Sequence, residues 1–223
     1  MEQHIVKVIS VEKITHDVLK IVTIKPNGYT FIPGQATEVA INKPGWQEQK
    51  RPFTFTGLPD DDHLEFIIKT YPSHKGMTNE LLNLKPNNEL LIHDVWGAIS
   101  YQGNGVFIAG GAGITPFIAI LRDLEKKNQM KGNSLIFSNK TKGDIILEQY
   151  FEKILDSSFI NILSNEELEG FNHGIITQDF LMANVHNLSE KFYVCGPIPM
   201  IEAVINHLTQ MGVDKSNIVL EEM

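Results

Sequence analysis

The chain has 223 residues, 42% of them hydrophobic, with a formal net charge of −8 at pH 7 and a single cysteine. This length allows one large domain or two modest ones, and the acidic balance argues against a nucleic-acid binder, which would carry a basic stripe. One cysteine excludes an intramolecular disulfide and an intrinsic iron–sulfur cluster held by four cysteines. There is no apolar run of roughly 20 residues to span a membrane. Because residues 1–4 also lack the features of a signal peptide, we expect a cytoplasmic protein.

The first hundred residues form a pattern of short strands separated by turns rich in Pro, Gly, Asn and Asp. Alternating and β-branched runs predict strands at His4–Val11, Leu19–Ile24, Thr37–Ile41, Leu64–Tyr71 and Leu90–Val95. One helix interrupts them, from about Thr78 to Leu84. Many short strands with regular turns indicate an antiparallel β-barrel or sandwich.

After Gly103-Asn104-Gly105 the pattern changes, and strands alternate with helices. The predicted strands are Val106–Ala109, Ser134–Ser138, Phe159–Leu163, Phe192–Cys195 and Ile218–Leu220. The predicted helices are Pro116–Lys127, Leu147–Leu155, Thr177–Met182 and Pro199–Met211. This alternation indicates a parallel sheet with helices on both faces. We therefore predict a two-domain chain, with a β domain at residues 1–102 and an α/β domain at residues 103–223.

A glycine-rich turn joins the first strand and helix of the second domain. Gly110, Gly111 and Gly113 follow the buried run Val106–Ala109, and the helix restarts after Pro116. Glycines at such a turn let the backbone approach a diphosphate at the positive end of the helix dipole. Thr115 and Pro116 stand where the third glycine of G-x-G-x-x-G would fall, so the dinucleotide fingerprint is not matched. The turn predicts a nucleotide site, and an ordinary strand–helix turn is the alternative.

Two further segments extend this prediction. Arg51-Pro52-Phe53-Thr54-Phe55-Thr56 lies in the β half, and Cys195-Gly196-Pro197 follows a short buried strand near the end of the chain. The Arg51–Thr56 segment, the glycine turn and the Cys195–Pro197 segment, in this order, resemble motifs of the ferredoxin–NADP reductase family of flavoenzymes. The resemblance extends over almost the whole chain, from about Ile5 to Met223. The resemblance implies a flavin-binding antiparallel β-barrel followed by an NAD(P)-binding α/β domain.

The resemblance also assigns roles in the first domain, with FAD as the expected cofactor. Arg51 would pair with the diphosphate, Phe53 would cover the flavin, and Thr54 would donate a hydrogen bond near its N5–O4 edge. Two residues depart from the family: Phe53 replaces the frequent tyrosine, and Gly57 replaces a second Ser or Thr. The alternatives are a plain barrel strand with inward-facing phenylalanines and, for Thr78, a plain N-cap. The full flavin-binding set is Arg51, Pro52, Phe53, Thr54, Ile67, Ile68, Lys69, Gly76, Met77 and Thr78.

In the second domain, the resemblance implies that the glycine turn cradles the diphosphate of NAD(P)H. Cys195 would shape the nicotinamide pocket rather than act as a nucleophile. The alternative is that it is an ordinary small buried hydrophobic residue. Glu221 would orient the nicotinamide or relay a proton, or belong to an ordinary solvated terminus, and Met223 replaces an aromatic residue of relatives. Ser138 with nearby lysines leaves the choice of NADH or NADPH open. The full nucleotide-binding set is Gly110, Gly111, Gly113, Ile114, Thr115, Pro116, Ser138, Asn139, Lys140, Cys195, Gly196, Pro197 and Met200.

These features together predict an FAD-dependent NAD(P)H oxidoreductase with Thr54, Cys195 and Glu221 at the reacting centre and no metal. Its electrons would pass to a separate acceptor, namely a ferredoxin, a flavodoxin, an oxygenase component, or free flavin or quinone. Lys43, Lys50, Lys69 and Lys75 are candidates for a docking face toward an acidic carrier. The alternatives are a non-catalytic flavin-binding electron-transfer or regulatory subunit, and a binding module that has lost flavin.

Overall fold

The computed structural model describes residues 3–71, 73–97 and 99–221. Contacts divide the chain into two compact units. The first unit comprises residues 1–100 and 115–123, and the second comprises residues 101–114 and 124–223. Every helix among the described residues is too short or too polar to cross a lipid bilayer.

The first unit is built on a six-stranded antiparallel sheet with the strand order β4-β3-β6-β1-β2-β5. Apolar residues that alternate along the strands, such as Val6 and Val8 of the first strand, form its core together with Phe55 and Phe66. The strands are β1 (His4–Thr15), β2 (Val18–Ile24), β3 (Ala36–Ile41), β4 (Arg51–Thr54), β5 (His63–Lys69) and β6 (Glu89–Trp96).

The two edge strands of this sheet, β4 and β5, approach each other just beyond the end of β4. The backbone N–H of Thr56 donates to the carbonyl of Glu65 over 2.9 Å. The sheet therefore curves back on itself, as expected for a barrel, and β4 and β5 do not pair along their length.

The one helical segment between β5 and β6 is shorter than expected. Helix α1 (Met77–Glu80) is followed by a 3₁₀ turn over Leu81–Asn83. Gly76 precedes the helix without a side-chain cap, so the prediction of Thr78 as the N-cap is wrong. Met77 and Leu81 set this boundary, because both side chains are buried in the barrel core.

The second unit contains a six-stranded parallel sheet with the order β10-β9-β8-β7-β11-β12. Its strands are β7 (Gly105–Gly110), β8 (Ser134–Asn139), β9 (Phe159–Leu163), β10 (Asn172–His173), β11 (Lys191–Cys195) and β12 (Ile218–Leu220). The helices of this unit are α3 (Glu148–Leu155), α4 (Gln178–Asn184) and α5 (Ile198–Gln210). Helix α2 (Thr115–Lys126) follows β7 along the chain, and its residues 115–123 belong to the first unit. The apolar runs of β7 and β8 are buried almost completely, as strands covered on both faces require. The two-domain fold class predicted from the sequence is confirmed.

Candidate functional site

In the first unit, the Arg51–Thr54 motif forms edge strand β4. Arg51 is exposed, and its Nη1 donates to the carbonyl of Lys50 over 2.7 Å. Phe53 and Thr54 are half-buried, and Phe53 packs partly against the core. Phe55 is fully buried and stacks on Phe31 with ring centroids 4.2 Å apart. The core interpretation therefore holds for Phe55, whereas Arg51, Phe53 and Thr54 keep surface that a ligand can reach.

Strand β5 presents backbone groups along the edge that faces away from β2. Backbone groups of alternate residues point to opposite edges of a strand. The carbonyl of Glu65 accepts from Thr56, and the N–H of Thr70 donates to Asp17 beside β2. By this alternation, the backbone groups of Ile67 and Lys69 face the same open edge as those of Glu65, whereas those of Ile68 face β2.

The side chains of this strand are engaged within the unit. Ile67 and Ile68 are buried, and Nζ of Lys69 pairs with Oδ2 of Asp17 at 2.8 Å. A ligand at this edge would therefore meet the backbone of Ile67 and Lys69 rather than their side chains.

The Gly76–Thr78 segment leaves room beside its backbone. A Cβ placed on Gly76 would meet no atom within 4 Å, and Thr78 is half-buried. Amides in the first turn of a helix lack intrahelical partners. The Met77 side chain belongs to the core, so only its backbone is available to a ligand. These features suit a ligand that has a flat ring and a diphosphate. The Arg51 guanidinium and the first turn of α1 suit the diphosphate, and the outer edge of β5 suits the ring.

In the second unit, the glycine turn packs on the turn that follows β11. Strands β7 and β11 are parallel neighbours, with Ala109 opposite Cys195, so both turns lie at the same sheet edge. A Cβ on Gly110 would lie 2.5 Å from Sδ of Met200, and one on Gly113 would lie 2.4 Å from the carbonyl oxygen of Cys195. Only glycine fits at position 113, because the clash there is with backbone, whereas a Cβ at position 110 would require the flexible Met200 side chain to move. The turn that motif reasoning singled out therefore exists because two backbones meet there.

The other residues of the predicted cradle occupy different environments. Gly111 has φ +52, and a Cβ placed on it would meet no atom within 4 Å. Gly196 packs against Gly110, because a Cβ placed on Gly196 would lie 3.1 Å from the backbone N of Gly110. Ile114 is fully buried, so its side chain does not face a ligand. Thr115 and Pro116 begin α2, which confirms Pro116 in the first helical turn.

Cys195 and Glu221 lie together at the carboxyl ends of β11 and β12. Sγ of Cys195 donates to Oε2 of Glu221 across 3.9 Å. Burial, followed by the nearby Glu221 carboxylate, raises the pKa of Cys195 to about 12. Loss of solvent around its carboxyl also raises the pKa of Glu221, although the residue as a whole is exposed. Cys195 is therefore a neutral thiol at physiological pH. Met223, the expected replacement for a terminal aromatic residue, lies outside the described residues.

The end of β8 supplies the remaining predicted residues. Ser138 is in register with Gly110, and Lys140 is exposed. Asn139 is buried, and neither its Oδ1 nor its Nδ2 has a hydrogen-bond partner among the described residues. Such a buried amide is costly unless a ligand or water satisfies it, so it fits a position beside a polar ligand.

Two carboxylates beside this segment could not be assigned from the sequence. Oδ2 of Asp144 accepts from the backbone N–H and the hydroxyl of Thr141, at 2.9 and 2.7 Å. Oε2 of Glu166 accepts from the backbone N–H of Lys142 at 2.7 Å. The Thr141-x-x-Asp144 spacing is a local capping signal. Glu166 reaches the site because residues 164–165 hydrogen-bond alongside residues 139–140, a long-range pairing with no local signal.

Comparisons with known proteins agree with this geometry. An FAD-binding domain profile matches residues 3–131, and an oxidoreductase NAD-binding domain profile matches residues 107–206. NADH-cytochrome b5 reductase 2 of Mycosarcoma maydis is 31% identical over 85% of this chain and 60% of its own length. The propane 2-monooxygenase reductase component of Rhodococcus jostii is 26% identical over 97% of this chain and 62% of its own length. The chain thus spans about three fifths of these relatives.

Solved structures share the fold. The FAD/NAD binding domain of nitric oxide dioxygenase from Vibrio cholerae matches with a TM-score of 0.87 at 19% identity, covering 97% of this chain and 96% of that one. A ferredoxin NADP+ reductase from Neisseria gonorrhoeae with bound FAD and NADP matches with a TM-score of 0.85 at 18% identity, covering 99% and 98%. With its FAD-binding domain followed by an oxidoreductase NAD-binding domain, this chain belongs to the ferredoxin–NADP reductase-like family of flavoproteins.

Proposed function

We propose that this chain is an NADH-dependent flavoprotein reductase that passes electrons from NADH, through FAD, to a separate acceptor. The observation that carries the proposal is the glycine turn of the second unit. Its Gly110 packs on the Pro197 and Met200 side chains, and its Gly113 packs on the backbone of Cys195 and Gly196. The chemistry that FAD would supply here is acceptance of a hydride from the nicotinamide and release of the two electrons to the acceptor. Positioning matters more than acid–base chemistry for this transfer.

The first unit would hold FAD. The exposed Arg51 guanidinium suits a diphosphate because its planar fork matches phosphate oxygens. Backbone amides at Met77 and Thr78 would share that charge, and backbone groups of Ile67 and Lys69 would face the ring edge. Thr54, half-buried on β4, would donate its hydroxyl to the same edge.

The second unit would hold the nicotinamide nucleotide. Gly110, Gly111 and Gly113 would let the backbone approach the diphosphate. The neutral Cys195 thiol would limit the space beside the nicotinamide. Glu221, whose pKa is raised, would orient the carboxamide or hold a proton near it.

Asp144 and Glu166 favour NADH over NADPH. The Asp144 carboxylate accepts a hydrogen bond from the backbone N–H of Thr141, and the Glu166 carboxylate accepts one from that of Lys142. Both N–H groups follow closely after the end of strand β8 at Asn139. A 2′-phosphate in this region would meet two negative charges, whereas the ribose hydroxyls of NADH can donate to them. Lys142 is turned to another contact, because its Nζ lies 5.2 Å from the centre of the Phe171 ring.

A separate protein acceptor is the second part of the proposal. The relatives are named as reductases of cytochrome b5 and as a reductase component of a propane monooxygenase. The expected lysine docking face is reduced, because Lys43 pairs with Glu80, Lys50 with Glu38 and Lys69 with Asp17, at 2.7, 3.8 and 2.8 Å. The acceptor and the cytoplasmic location stay predictions.

Steady-state kinetics with ferricyanide as acceptor test the donor. The FAD-reconstituted chain should reduce ferricyanide with NADH, and kcat/KM for NADPH should be lower by about tenfold or more. Glu166→Gln should narrow this ratio by about fivefold, mainly through a lower KM for NADPH, since one repulsive charge is removed. The neighbouring, exposed Glu167 offers a control, and Glu167→Gln should leave the ratio unchanged. Equal use of both nucleotides by the wild type, or no effect of Glu166→Gln, would contradict the NADH assignment.

A further inference from the structure

Arg122, the second of the two arginines, forms a polar cluster with Glu65 and Thr56 in the first unit, and its own side chain is 24% exposed. Its Nη1 donates to the carbonyl of Thr56 at 2.7 Å and to Oε1 of Glu65 at 2.6 Å. The Thr56 hydroxyl donates to the same Oε1 at 2.8 Å. Thr56 is fully buried, and the Glu65 side chain is 11% exposed. We call these three residues the Arg122 cluster.

The Arg122 cluster lies where the two edge strands of the barrel meet. Thr56 follows the Arg51–Thr54 strand by two residues, and Glu65 precedes Ile67 by two residues on β5. The Thr56 N–H to Glu65 carbonyl bond joins the two segments at this point. Beyond it, β4 and β5 run on unpaired, with Thr54 on one side and the outward backbone of Ile67 on the other. The cluster is thus the vertex of an opening lined by proposed FAD contacts.

We propose that Arg122 and Glu65 are positioning residues that set the width of this opening and thereby the seat of the flavin ring. The inference rests on the proposed function, because it concerns the same FAD site. In this proposal Arg122 does not touch FAD and acts on it through Thr56 and Glu65 of β5. Its one Nη1 holds both a strand carbonyl and a carboxylate, so any shift of the arginine moves both edges together.

Burial energetics separate positioning from plain stabilisation. Replacing a buried ion pair by apolar residues of similar volume is often neutral or stabilising, whereas removing one partner leaves an uncompensated charge. If Arg122 and Glu65 served stability alone, replacing both together by apolar residues would therefore leave FAD binding unchanged. If they position the flavin, the same replacement would weaken FAD binding, because a flavin displaced by a fraction of an ångström loses hydrogen bonds.

Glycine at position 57 is consistent with a tightly specified vertex. A Cβ there would lie 3.3 Å from Cβ of Glu65 and 3.2 Å from Oδ2 of Asp61. Asp61 is itself engaged, because its Oδ2 accepts from the N–H of Leu58 at 2.8 Å. A larger side chain at this position would crowd Glu65.

The double variant Arg122→Met/Glu65→Leu tests the proposal through FAD binding. Its melting temperature should stay close to that of the wild type, whereas its Kd for FAD, measured by fluorescence quenching, should rise by about tenfold or more. The visible circular dichroism of the bound flavin should also change. Glu12→Gln/Lys20→Met, which removes a surface pair with a 2.7 Å contact in the same sheet, is the control and should leave both readouts unchanged.

A milder pair of variants protects the test against misfolding. Thr56→Val removes only the hydroxyl and should weaken FAD binding and alter the flavin dichroism, whereas Thr56→Ser should restore both. Wild-type affinity and dichroism in the double variant and in Thr56→Val would overturn the positioning role. A wild-type chain that takes up no FAD would instead defeat the proposed function, a result that needs no variant.

Discussion

At the scale of single residues, Cys195 shows how burial decides chemistry. Its thiol lies 3.9 Å from the Glu221 carboxylate, and its pKa is raised to about 12, first by burial and then by that negative charge. A thiolate is the reactive form of cysteine, so this residue is unsuited to nucleophilic attack or proton abstraction. A steric role for Cys195 at the proposed nicotinamide site therefore stays a prediction, and the raised pKa supports it.

The pH dependence of alkylation by iodoacetamide checks this pKa, because the chain has only one cysteine and reagent access alone does not change with pH. At pH 8.5 the folded protein should react on the order of 1000-fold more slowly than the urea-unfolded chain, in proportion to thiolate content. Glu221→Gln should speed the reaction only in part, because burial is the larger cause. Equal rates in the folded and unfolded states would contradict the assignment.

The same shift has a consequence for stability. The folded-state pKa is raised above the ordinary value of 9.0, so the folded state holds this proton more tightly than the unfolded state. The corresponding stability is complete below about pH 9 and is lost as pH rises toward 12.

At the scale of elements, the turn between β7 and α2 is defined by backbone contact. Gly113→Ala would place a Cβ 2.4 Å from the carbonyl oxygen of Cys195, so one of the two turns must move. We expect a loss of about 2 kcal/mol in unfolding free energy, the usual cost of overpacking, with weaker NADH binding.

Urea unfolding and NADH titration of Gly113→Ala check this expectation. Gly143→Ala is the stability control in the same unit, because its Cβ would meet only Oγ1 of Thr141 at an ordinary 3.8 Å. Wild-type stability and NADH affinity in Gly113→Ala would show that the turn does not need glycine there.

Elements with strong periodicity were predictable from the sequence, and elements set by tertiary contacts were not. Phe159–Leu163 and Ile218–Leu220 form strands with the predicted bounds. The two-residue strand Asn172–His173 was missed because it is defined only by pairing with β9. The predicted start of α1, at about Thr78, lies within one residue of the observed Met77, whereas the N-cap is Gly76 and not Thr78.

The candidate site divides in the same way. Gly110, Gly113 and Cys195 were accessible because each lies in a local motif, and parallel pairing of β7 with β11 brings them together. The contacts of Glu65, Arg122 and Glu166 could not be predicted from the sequence. Glu65 and Arg122 are 57 residues apart, and Glu166 is 24 residues from its partner Lys142. Long-range hydrogen bonds leave no periodic signal in the sequence.

At the scale of the whole molecule, we predict two binding units in one chain, one for FAD and one for NADH. The FAD-binding and NAD-binding profiles match the sequence in that order. Each unit has its own sheet and its own core. A reductase needs both ligands, and a flavin-binding subunit without catalytic activity needs only the first.

The visible spectrum of the purified, FAD-reconstituted chain under anaerobic conditions, recorded before and after one equivalent of NADH, tests this central claim most directly. We predict flavin absorption bands that bleach promptly with NADH and much more slowly with NADPH. A flavin spectrum that neither nucleotide bleaches, or a chain that takes up no flavin, would contradict the account.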